Sequence, residues 1–167
     1  MIKKVFLIPI LSLLVACAGC GNNSGNNAAE NQPTANGSPD SSTMAGAPAV
    51  DVTAKSDSKG VGRFTDVKVG PLDTAMASKG AALFQSKCTV CHKTTEEKLI
   101  GPGLKGITLI RTPEWIMNMI TDPNDMTEND PVASTLLSQY HTQMTVQTSD
   151  QEAREILEFL RGNDGAK

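Results

Sequence analysis

Residues 88–92 read Cys-Thr-Val-Cys-His. Two thiols at this spacing with an imidazole directly after them have three chemistries open to them. Cys88 and Cys91 can add to the two vinyl groups of a porphyrin, and His92 is then held beneath the iron as an axial ligand, which gives one covalently bound haem c. The second chemistry is a dithiol–disulfide pair, and the third is a structural zinc site. A redox pair of the thioredoxin kind wants a strand before it and a helix after it, whereas a helical pattern precedes this one and a Gly-Pro loop follows. Zinc needs four ligands. The chain has one other histidine, and its other cysteines, Cys17 and Cys20, lie far off near the N-terminus. The surrounding pattern therefore favours the haem clip.

The elements that must position this pentapeptide can be read on either side of it. Asp73 is a helix cap, and the helix it starts runs to about Ser86 with Ala77, Gly80, Ala81 and Phe84 on its inner face. After the pentapeptide, GPGLKG at 101–106 marks an irregular loop. Thr112-Pro113-Glu114 starts a second helix, which stops at Asp122-Pro123 before an acidic loop around Met126. Asp130-Pro131 starts a third, running to about Tyr140, and a loop carrying His141 and Met144 follows. Ser149 and Glu152 have the spacing of a capping box for a last helix that closes at Gly162, with Ile156, Leu157, Phe159 and Leu160 as its apolar stripe. The expected fold is all-α, a helical domain over 73–167. Aromatic residues make up only 4% of the chain, so a domain of this size needs another apolar body to fill it. A porphyrin would supply one.

The N-terminal part reads as an address. Residues 1–16 have a basic start (Lys3, Lys4) and an apolar run from Val5 to Val15. That run is shorter than the roughly 20 residues a membrane-spanning helix requires, and reads as a secretory signal. Leu14-Val15-Ala16-Cys17 resembles a bacterial lipobox, which makes Cys17 the expected lipid attachment site; Cys20 has no assigned role. Residues 17–60 are rich in Asn, Gly, Ser and Ala and are expected to be a disordered tether, with 61–72 as an extended lead-in segment. The protein is then exported, lipid-anchored to a membrane, on its periplasmic or cell-surface side. A net charge of −3 from 15 basic and 18 acidic residues gives no footprint for nucleic acid.

Residues 73–162 resemble a small class I cytochrome c. The pattern of that family is a first helix, CxxCH, a Gly-Pro loop, a middle helix, a methionine loop and a C-terminal helix. The resemblance implies that Gly80 and Phe84 pack on Ile156, Phe159 and Leu160. It implies that the Pro102 carbonyl accepts a hydrogen bond from His92. It places the sixth iron ligand at Met144, although the usual Met-Pro is here Met-Thr; His141, Met126 or an open position are the alternatives. Trp115, Arg111 and Tyr140 are candidates for contact with a haem propionate. Lys87, Lys93, Lys98 and Lys105 flank the haem segment and are candidates for steering an acidic redox partner. The implied function is a membrane-tethered mono-haem electron carrier of a respiratory chain, not an enzyme. Its donor and acceptor would be redox proteins, among them a respiratory reductase such as nitrous oxide reductase, or a terminal oxidase. The alternatives are a haem sensor or small peroxidase with an open sixth position, and a docked subunit of a larger complex.

Overall fold

The computed structural model describes residues 50–145 and 148–167. The signal, Cys17, Cys20 and most of the expected tether lie outside the described residues. Among the described residues there are six helices and no strand: α1 (Thr74–Lys87), α2 (Ile107–Ile110), α3 (Pro113–Thr121), α4 (Pro123–Asn129), α5 (Pro131–Tyr140) and α6 (Asp150–Asn163).

The largest helix–helix contact is between α1 and α6. It depends on a residue with no side chain. A Cβ added at Gly80 would lie 1.9 Å from the Glu155 carbonyl oxygen, so the two backbones meet there. One turn on, the Phe84 and Phe159 rings stack at a tilt with centroids 5.2 Å apart. Ala77 and Ala81, expected on the same face, are only half-buried. From α6, Ala153, Ile156, Leu157 and Leu160 form the buried stripe. Asp73 caps α1 through the Met76 N–H at 2.9 Å. Ser149 and Glu152 close a reciprocal capping box on α6.

Three helices in a row start by the same device. Thr112, Asp122 and Asp130 each accept a backbone N–H with their side chains, and each is followed by proline at the first helical position. This corrects one expectation. Asp122-Pro123 ends α3 but also starts α4, so the stretch expected as an acidic loop is helical. Met126 on α4 is fully buried, and Asp130 is buried as the cap of α5.

The second correction concerns the tether. Its expected boundary at residue 60 is too late, because residues 52–67 form a strap bound along the α2–α3 region. Arg111 donates to the carbonyls of Ala54 (2.6 Å) and Val52. Thr112 donates to Ser58 O at 2.7 Å. Asn118 donates to the carbonyls of Lys59 and Phe64 and accepts the Phe64 N–H, all at 3.0 Å. Val67 N–H donates to Glu114 at 3.0 Å. Val52, Val61, Phe64 and Val67 pack on the core beneath. The docking starts earlier than the composition suggested.

Candidate haem site

Cys88 caps the C-terminal end of α1, its N–H bonded to Phe84 O at 2.8 Å. The chain then turns tightly: the N–H groups of Cys91 and His92 both donate to Cys88 O, at 3.0 and 2.9 Å. The Gly-Pro loop is laced onto this turn by Gly101 N–H to Cys91 O (2.8 Å) and Leu104 N–H to Lys93 O (2.9 Å). The loop is thereby brought under the imidazole. His92 Nδ1 lies 2.9 Å from the Pro102 carbonyl oxygen. A carbonyl can only accept, so this bond puts the proton on Nδ1 and leaves Nε2 free as a ligand. Gly101 is required by space: a Cβ there would come within 2.6 Å of His92 Cε1.

These residues open onto a cavity of about 510 Å³, within the ~300–1,000 Å³ typical of cofactor sites. Its wall is mostly aliphatic and aromatic, drawn from all six helices, and holds no carboxylate among the described residues. Burial pushes the Cys88 thiol up to about 11, with Lys87 opposing it only weakly. No strand adjoins the pair, and no further His, Cys, Asp or Glu completes a metal site with it among the described residues.

Cys88, Cys91, His92, Pro102, Trp115, Tyr140 and Met144 all line this one cavity. Three expected candidates do not. The Met126 sulfur accepts the Val61 N–H at 3.1 Å in the core, away from the cavity. His141 is exposed in the left-handed region (φ 53°), where it ends α5. Arg111 is buried beneath the strap. Of the helix α3 methionines, Met117 is core and Met119 reaches the cavity.

Trp115, a candidate for propionate contact, lines the cavity and has a partner of its own. Its indole N–H donates to Asp130 Oδ1 at 3.2 Å. That carboxylate also takes the N–H groups of Val132 and Ala133, so the indole already has a buried partner. Asp130-Pro131 starts α5 as its residue types suggest, and the bond to the Trp115 indole adds a second partner to that cap. Arg111 remains chemically open at one atom. Its guanidinium lies over the Trp115 ring, 5.4 Å from the centroid, and its Nε is the one buried side-chain N or O without a hydrogen-bond partner among the described residues. Arg111 does not line the cavity, and its other guanidinium nitrogens are spent on the strap carbonyls. Volume, apolar lining and the glycine-made space at His92 together fit a haem.

The lysines around the site divide into two kinds. Lys87 pairs with Glu152 at 2.8 Å and Lys93 with Glu97. Lys98 sits over the Tyr140 ring at 4.6 Å and Lys105 donates to Asn163 O. Only the latter two keep their charge without a carboxylate partner in these contacts. Val90 and Ile100 line the cavity and are also exposed, at 70% and 45%.

Comparison with known proteins agrees with this geometry. Residues 77–164 match the family model described as cytochrome c. Among solved structures, a cytochrome c from Rhodothermus marinus is 40% identical with a TM-score of 0.60; the match covers 62% of this chain and 90% of that one. An engineered cytochrome c from Rhodothermus marinus, bound to a carbene intermediate, is 38% identical with a TM-score of 0.58 over the same shares. No curated protein matches the chain.

Proposed function

Because this chain belongs to the cytochrome c family, whose haem c is its cofactor, we propose that it is a lipid-tethered mono-haem electron carrier working outside the cytoplasm in a respiratory chain. The haem supplies one-electron exchange between ferrous and ferric iron. The chain's own residues do the rest. Cys88 and Cys91 attach the group, and His92 presents Nε2, with its ring fixed by the bond to Pro102. Met144, on the wall of the same cavity, would supply a second iron ligand. The apolar wall would keep water from the iron.

The observation that carries the reading is that His92 and Met144 share one apolar cavity, while His141 and Met126 are directed elsewhere. With both axial positions held by the protein, little rearranges as charge moves, which suits a carrier. An acid–base pair for peroxide chemistry has no support in a lining free of carboxylates. The partner would be a redox protein such as a respiratory reductase (nitrous oxide reductase is one) or a terminal oxidase. It would dock on exposed Val90 and Ile100, with Lys98 and Lys105 supplying positive charge.

Optical spectra of the matured holoprotein test the ligand set. Wild type is expected to show the methionine–iron charge-transfer band when oxidised and to resist carbon monoxide when reduced. Met144→Ala is expected to lose the band, bind carbon monoxide readily and have a lower midpoint potential. A wild type that binds carbon monoxide as readily as the variant would replace the carrier reading with the sensor or peroxidase one.

A further inference from the structure

Residues 142–145 make no backbone–backbone hydrogen bond among the described residues. Among the described residues, their hydrogen bonds to the helices come from the side chain of Gln143, which binds α4. Its Nε2 donates to the Pro123 carbonyl at 3.2 Å and to the Met144 carbonyl at 3.4 Å. Its Oε1 accepts from the Thr127 hydroxyl at 3.2 Å. Thr127 shares its single proton with the Pro123 carbonyl at 2.8 Å, so the three groups form one small network. Pro123 and Thr127 are buried, and Thr127, Gln143 and Met144 all line the cavity.

We propose that Gln143 is a positioning residue that holds the Met144 loop closed against α4, and thereby decides how readily an outside ligand replaces methionine at the iron. The proposal rests on Met144 being the sixth ligand. The amide bridges both sides of the opening, from α4 to the ligand's own carbonyl. Losing it frees the loop without touching His92, the attachment turn or the α1–α6 contact. Neither α4 nor Gln143 contributes to the cysteine turn, so the effect should fall on the methionine side alone.

The test is imidazole binding to the ferric holoprotein, followed optically, for wild type, Gln143→Leu, Thr127→Val and the double variant. Leu157→Ala serves as a control, since it weakens the core without lining the cavity. Gln143→Leu is expected to bind imidazole about tenfold tighter, the scale of one lost buried hydrogen bond. Thr127→Val should act in the same direction but less. The double variant should add little to Gln143→Leu, because the two groups share one network. An affinity within twofold of wild type for Gln143→Leu, or an equal gain in the Leu157→Ala control, overturns the proposal. Should Gln143→Leu fail to mature, an unchanged affinity in Thr127→Val overturns it equally. A wild type without the methionine–iron band removes the ligand assignment and this proposal with it; a wild type with the band and an unmoved Gln143→Leu removes the proposal alone.

Discussion

Single residues here hold opposing terms in balance, and Glu158 shows it most directly. Its side chain is fully buried, yet its carboxyl is held below the ordinary glutamate value of 4.5. Burial pushes the value up, but hydrogen bonds from Arg154, the Asp73 N–H and Arg161 outweigh it. Those partners join α6 to the start of α1: Asp73 N–H donates at 2.9 Å and Arg161 at 2.7 Å. A lowered folded-state value means that the charged form stabilises the fold. That contribution is complete above about pH 4.5 and is lost as pH falls through the lower folded value. Glu158→Gln should cost about 3 kcal/mol at pH 7, as expected when one member of a buried ion pair is removed. The gap between variant and wild type should shrink on acidification. Denaturant unfolding of both proteins at neutral and acid pH measures it, and a gap that stays constant would show that the charge is not what stabilises.

Helices and their punctuation were the part most open to reading in the sequence. Caps at Asp73, Thr112, Asp130 and Ser149 all act as their residue types suggest, because a cap is settled within four residues of chain. The cysteine turn and Gly-Pro loop were legible for the same reason. Asp122-Pro123 was misread because one dipeptide can close a helix and open the next, and only tertiary packing of Met126 decides between loop and helix. The hydrogen bond from Trp115 to Asp130 and the network around Gln143 were invisible, since each depends on contacts between elements. The α1–α6 crossing lets a prediction be made with its sign worked out. Gly80→Ala gains about 1 kcal/mol of helix propensity. It also drives a Cβ into the Glu155 carbonyl, where neither backbone can yield, at about 3 kcal/mol. The net loss of about 2 kcal/mol should appear as a lower Tm of the holoprotein, and an unchanged Tm would mean that the helices can separate at no cost.

At the scale of the whole molecule, the folded head begins at the strap rather than at α1. Its bonds were hidden from sequence because Val52, Val61, Phe64 and Val67 follow no helical or alternating period. If Cys17 carries lipid, the full chain should sediment with membranes, and Cys17→Ser should move it to the soluble fraction with its haem spectrum unchanged; persistence in the membrane fraction would point to another anchor. The strap adds a mechanical consequence to such mooring. A pull entering at Val50 meets Arg111, Thr112 and Asn118 before it can reach Leu72 and the first turn of α1. Those bonds run from the strap to the start and middle of α3, so the drag on a head moored in that way would be borne there. None of them reaches the turn at Cys88–His92, which would be spared that load.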